Sequence, residues 1–156
     1  MSDETAASES HKADIRKMGK YFTVAEIIRS ETAAKKGIDN KLPKGLLPNV
    51  QALIGSILDP LREAYGKPIT VTSGYRCEAL NKAVKGSPTS DHKNGRAADI
   101  VGTPNTRAEN RRLFYLIQEL SLPFGQLIWE KGNAEGPDWV HVSLSTGTKK
   151  GKVLAL

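Results

Sequence analysis

Cysteine is almost absent from this chain. Its single copy, Cys77, leaves no partner for an intramolecular disulfide, so nothing ties the fold to an oxidising compartment. Aromatic residues are scarce at 6% and are not interleaved with the basic ones. That shortage, with no recognisable base-reading motif, argues against nucleic-acid binding. Long apolar runs are missing as well. Met1 to Lys20 carries Asp3, Glu4 and Glu9 among serines and alanines, so it reads as neither a signal peptide nor a transmembrane segment. The expectation is a protein that is cytoplasmic as synthesised, with residues 1–20 a disordered tail in which His11 is simply solvated. Acidic residues are outnumbered, 17 against 23 lysines and arginines, which gives a net charge of +6. That balance favours polyanionic partners such as nucleic acid, anionic lipid or cell-wall polymer, and it equally describes an ordinary basic surface.

The chain does have enough apolar residues for one core. At 156 residues and 38% hydrophobic content, a single domain over residues 21–145 is expected, followed by a flexible tail at 146–156 that holds Lys149, Lys150 and Lys152. Phe22-Thr23-Val24-Ala25-Glu26-Ile27 has the form of a capping box and predicts a helix running to about Ala34. Loop follows through Gly37–Asn40 and Leu42–Gly45. Pro48 suits a first helical position, and Val50, Leu53, Ile54, Ile57, Leu58, Leu61 and Tyr65 then recur at helical spacing. This is the expected core helix, kinked by Pro60 and closed by Gly66 and Pro68. Ile69–Thr72 reads as a strand, Glu78 to Val84 as a brief helix, and Ile100-Val101 as a strand with Asp99 at its start. Thr106–Glu109 is a second capping box, opening a helix whose buried face holds Leu113, Phe114, Ile117 and Leu120 and which Pro123 ends. Gln126–Glu130 and Trp139–Leu144 read as strands joined by a loop over Lys131–Pro137.

Chemistry-bearing residues concentrate in Ser90-Asp91-His92-Lys93-Asn94-Gly95-Arg96-Ala97-Ala98-Asp99. A helix would separate His92 and Asp99 by roughly 10 Å along its axis, too far to share a first-row metal whose ligands sit about 2 Å away. A strand would point them to opposite faces. The chain is therefore expected to reverse between them, with Asn94-Gly95 supplying positive φ and Ala97 and Ala98 allowing close approach. In the last strand Val140, Val142 and Leu144 alternate with Trp139, His141 and Ser143, which puts His141 on the side away from the core. There it can complete a His, Asp, His set, the kind of ligand set that catalytic zinc uses. Asp138, three residues earlier and next to Pro137, occupies a loop position that can curl toward the same metal. The same spacing also fits His92 donating to a loop carbonyl and His141 lying on a sheet face without a metal. Glu130 is either a partner behind the ligands or an ordinary strand-end carboxylate. Cys77 reads as a packed thiol, because a nucleophilic thiolate needs a histidine and both candidates belong to the metal set.

Ser73-Gly74-Tyr75-Arg76, then Asn81, then Ser90-x-His92-x-x-Gly95-x-Ala97-x-Asp99, then Asp138-x-x-His141 followed by valine and serine, occur in one order between about Phe22 and Ser143. In that combination they resemble the zinc D-Ala-D-Ala carboxypeptidase family, which includes phage endolysin L-alanyl-D-glutamate peptidases and the D-Ala-D-Ala dipeptidases of vancomycin resistance. The resemblance implies an α+β domain of the hedgehog and D-Ala-D-Ala peptidase type, with a small central antiparallel sheet and helices packed against it. It implies one zinc per chain on His92, Asp99 and His141, Asp138 as the general base, and Arg76 as a catalytic and substrate-binding residue near the scissile bond, with Ser90 beside the substrate. Two positions depart from the pattern. Cys77 stands where a serine often follows the arginine, and Asp138 stands where many relatives carry glutamate, which shifts the likeness toward the phage-type members.

The function so implied is a monomeric zinc metallopeptidase that hydrolyses peptide bonds in peptidoglycan stem peptides, as an endolysin-like endopeptidase or a D-Ala-D-Ala carboxypeptidase. Its partner is the wall peptide and not nucleic acid, and a phage-type lysis system would release it to the wall. The alternative is a non-catalytic, zinc-containing cell-wall binding module. Retention of Asp138 argues against that alternative, since a purely structural site needs no acid there.

Overall fold

A computed structural model describes residues 19–156. The expected N-terminal tail therefore falls almost wholly outside the described residues. The first capping box forms: the Thr23 hydroxyl accepts from the Glu26 amide at 3.2 Å and starts α1, Val24–Ile28. The expected helix to Ala34 is in fact two. Arg29 turns extended at ψ 134°, and Ser30 caps a new helix α2, Glu31–Lys36, by accepting from the Ala33 amide. A serine followed by a glutamate is itself a start signal, and here it overrides continuation.

The core helix is continuous from α3, Leu47–Leu53, through a π-helical turn, Ile54–Leu58, into α4, Asp59–Tyr65. The kink expected at Pro60 appears as that widened turn, which lies just where the proline lacks an amide and its ring would crowd the preceding carbonyls. Gly66 ends the helix at φ +76°. After β1, Thr70–Ser73, come α5, Glu78–Ala83, and a 3-10 turn, Asp91–Asn94, which leads into β2, Ala97–Val101. Asp99 thus lies in the middle of its strand, not at the start. Helix α6, Arg107–Glu119, then precedes β3, Phe124–Glu130, β4, Trp139–Leu144, and β5, Lys152–Ala155. Leu113, Phe114 and Ile117 of α6 are buried, but Leu120 follows the last turn and is exposed.

The strands form one sheet in the order β1-β2-β4-β3-β5. The first four are antiparallel, as expected; β5 runs parallel to β3, so the sheet is mixed. β5 lies within the stretch expected as a flexible tail. With helices packed on one face of this sheet, the architecture is α+β. Leu53, Ile57, Leu61, Leu113 and Ile117 from the helices meet Ala98, Ile100, Leu127, Val140 and Val142 from the strands in one core. Each such aliphatic side chain contributes about 1.5–3 kcal/mol by leaving water. Strand alternation then commits the intervening residues, Asp99 and His141 among them, to the other face. No helix among the described residues is long and apolar enough to cross a membrane.

The second capping box is only half made, for a reason that ties the core together. Thr106 accepts from the Glu109 amide, but the Glu109 carboxylate turns away to Tyr65 at 2.7 Å, to Lys67, and to Arg112 at 3.2 Å. The Lys67 ammonium and the Tyr65 hydroxyl hold the Glu109 carboxyl down to about 2, against an ordinary 4.5. Its contribution to stability is therefore complete above about 4.5 and is lost as pH falls toward 2. Glu109→Gln should accordingly lower Tm at neutral pH, and the gap from the native protein should narrow by pH 3 and close only as pH reaches about 2. A gap of equal size at pH 7 and pH 3, measured by thermal melts, would contradict this.

Candidate metal centre

The turn after β1 is fixed before any functional group is placed. Tyr75 donates its amide to the Ile27 carbonyl at 2.8 Å, and a side chain on Gly74 would put its Cβ 2.3 Å from that same oxygen. Only glycine fits there. The buried Asn40 amide donates to the Ile28 and Tyr75 carbonyls, and its oxygen accepts from the Cys77 amide at 2.7 Å. Cys77 is half-buried and caps α5, its Sγ accepting from the Leu80 amide at 3.4 Å. A capping position explains why serine suits this site, and it gives the thiol a structural task.

The reversal before β2 also forms. Ser90 accepts from the His92 amide at 3.2 Å, the 3-10 turn follows, and Gly95 exits it at φ +69°. Gly95 alone supplies the positive φ; Asn94, expected to share it, stays inside the turn. The Arg76 amide donates to the His92 carbonyl, which links the two turns.

His92, Asp99 and His141 converge, each offering a ligand atom within 4.8 Å of the others, and all three are buried. His92 Nδ1 donates to the Gly74 carbonyl at 2.7 Å, which leaves Nε2 as the free lone pair, 3.3 Å from Asp99 Oδ1. The loop-carbonyl reading of His92 and the ligand reading are thus compatible, since the two ring nitrogens serve one each. His141 Nδ1 lies 3.0 Å from the same carboxylate oxygen. Donors about 2.0 Å from a tetrahedral ion stand about 3.3 Å apart, so these separations suit a zinc-sized ion. Burial opposes the charged form of Asp99, yet the two imidazole rings beside it prevail and hold its carboxyl well below the usual range.

Arg76 meets the other oxygen of Asp99, with its NH2 3.5 Å from Oδ2. Its Nε donates to Ser73 at 3.1 Å and its NH1 to Asn81 at 3.3 Å. Burial pushes the guanidinium down, while Asp99 and Glu130 pull it back up; an arginine stays charged under any such pressure.

Asp138 does not join this group. It lies in a bend just before β4, with its amide donating to the Glu130 carbonyl at 2.9 Å and its carbonyl held by Asn110. There the half-exposed Asp138 carboxylate accepts from Arg107 Nε at 3.0 Å. Glu130 lies on the cleft side instead. It pairs with Trp139, two residues from His141, and therefore shares the histidine's face. A cavity of about 400 Å³ is lined by Arg76, Ser90, His92, Asp99, Glu130 and His141, and not by Asp138. Burial and the charge of Asp99 push the Glu130 carboxyl up.

Lys149, Leu154 and Leu156 also line this cavity, and Lys149 pairs with the buried Asp91 at 3.3 Å. Sequence reading passed them over as tail; the apolar run Val153-Leu154-Ala155-Leu156 was the signal for a strand.

The comparisons agree with this geometry. No curated protein sequence gives a significant match to the chain. A family model described as Peptidase M15 matches residues 20–143, which span every element from α1 to β4 and all three converging side chains. The chain belongs to the peptidase M15 family, the zinc D-Ala-D-Ala carboxypeptidase and endolysin-like peptidases.

Proposed function

We propose that the protein is a zinc peptidase that cuts internal bonds in the stem peptides of peptidoglycan. The observation that carries this reading is cavity space on both sides of Arg76, beside the His92, Asp99 and His141 cluster. Cavity space of about 400 Å³ lies over it toward β5, and a second cavity of about 590 Å³ lies toward β1, with Arg76 lining both. A chain passing through such a cleft presents an internal bond to the cluster. A carboxypeptidase, by contrast, needs one end closed by a group that grips the terminal carboxylate. Arg76 is poorly suited to that task, since Ser73, Asn81 and Asp99 already engage its fork. The basic surface, at net charge +6, suits a wall polymer that bears carboxylates.

His92 through Nε2, Asp99 through its carboxylate and His141 through Nδ1 would hold the ion. Zinc on two imidazoles and a carboxylate polarises a carbonyl and makes water nucleophilic near neutral pH. The chain's own residues do the rest. Gly74 fixes the tautomer of His92, and Arg76 orients Asp99. Glu130, rather than Asp138, takes the proton of the attacking water and passes it to the leaving amine, a task that its raised pKa favours. Ser90 stands at the wall of the cavity, its hydroxyl oxygen occupied by the His92 amide and its proton free to meet the substrate backbone.

Elemental analysis should find one zinc per chain, and a chelator should abolish release of fragments from purified wall peptides; hydrolysis that persists without zinc would sink the mechanism. Glu130→Gln should lower kcat by roughly 10² or more with zinc retained, whereas Asp138→Asn should leave it within a few-fold. The reverse ranking would restore Asp138 as the base. Paired peptides that end in a free carboxylate or an amide should be cut at similar rates, and cleavage of the acid alone would convert the reading to a carboxypeptidase.

A further inference from the structure

We propose that the β1 side of the cleft is a carboxylate-accepting subsite in which Arg29 grips an acidic residue of the peptide substrate. This deepens the peptidase reading and rests on it. The cavity there, about 590 Å³, is the larger of the two on this face. Its walls come from the α1–α2 junction, the free edge of β1 and α5, and Arg76 connects it with the catalytic cavity.

Register places the two cavities in one line. Asp99 pairs with His141, His141 with Ile128 and Ile128 with Leu154, and Ser73 joins this row opposite Asp99 through a bulge in β1 after Val71. Going from His141 to Ser73 crosses two strand spacings, about 10 Å. That is about three residues of extended peptide. A substrate cut at the cluster therefore reaches the β1 cavity with a residue two or three positions from the scissile bond.

The chemistry of the cavity selects that residue. Thr32, Thr70 and Thr72 bring hydroxyls, and Leu80 and Val84 bring an apolar patch for an aliphatic stem. The break between α1 and α2 sets Arg29 on the wall. Unlike Arg76, Arg29 makes no ion pair or side-chain hydrogen bond among the described residues, so its planar fork is available to a carboxylate. Glu31 is the only acid among the lining residues, so with Arg29 and Arg76 the wall is cationic by one charge.

The test compares a stem pentapeptide bearing a free side-chain carboxylate with its side-chain-amidated counterpart, both with the same C-terminus, on zinc-loaded protein. Arg29→Ala should raise KM for the acidic peptide roughly tenfold with kcat within twofold, and should leave the amidated peptide unaffected. Arg29→Lys should fall between, and zinc content and Tm should not change. Wild-type KM values that do not distinguish acid from amide, or an acidic-peptide KM that Arg29→Ala leaves within twofold, would overturn the subsite. Calorimetric binding of the two peptides to the zinc-loaded Glu130→Gln variant, with and without Arg29→Ala, separates the two proposals. If wild type cleaves neither peptide but Arg29-dependent binding of the acid persists, the peptidase reading fails and the subsite stands. If cleavage occurs without Arg29-dependent binding, the subsite fails alone.

Discussion

A carboxylate in the middle of a sheet has to be compensated where it stands, because taking its charge out of water costs several kcal/mol. Asp99 is such a group, flanked by β1 and β4 and buried. Two imidazoles meet one of its oxygens and a guanidinium approaches the other. Each of these is held in turn: His92 by the Gly74 carbonyl, Arg76 by Ser73 and Asn81, and the turn that carries Gly74 and Arg76 by Asn40. The polar residues around the cleft thus form a chain of mutual dependence. Removing the acid would leave a mostly buried arginine without its charge partner, a larger loss than the pair's own worth. The convergence that satisfies Asp99 is also the convergence that a divalent ion requires, so one arrangement serves fold and chemistry together.

The second constraint is the period of two in a strand. Because Glu130 pairs with Trp139, alternation sends its carboxylate to the cleft beside His141, whereas Asp138, in the bend before β4, turns its carboxylate to Arg107. The same alternation lays Asp99, His141, Ile128 and Leu154 in a transverse row over an apolar face, and a bulge in β1 between Val71 and Ser73 brings Ser73 to the end of that row.

Much of this was legible in the sequence. The turn at Gly95, the His92, Asp99 and His141 set, the stripe of the core helix and the bounds of β4 follow from spacing, alternation and resemblance. What escaped did so for physical reasons. Asp138 is the loop residue that Pro137 suggested, but its carboxylate turns to Arg107 on α6, an ion pair between residues distant in sequence that no local pattern announces. The break at Arg29 hid inside a helical pattern that Ser30 recaps. β5 escaped because it pairs in parallel at an edge, a partnership that no local turn announces.

The most direct test is a crystal structure of the zinc-loaded protein with anomalous scattering recorded at the zinc edge. One peak is predicted, within bonding distance of His92 Nε2, the Asp99 carboxylate and His141 Nδ1, with Glu130 facing it across the cavity and Asp138 still held by Arg107. A peak elsewhere, or one that the Asp138 carboxylate approaches while Glu130 points away, would contradict the central claim.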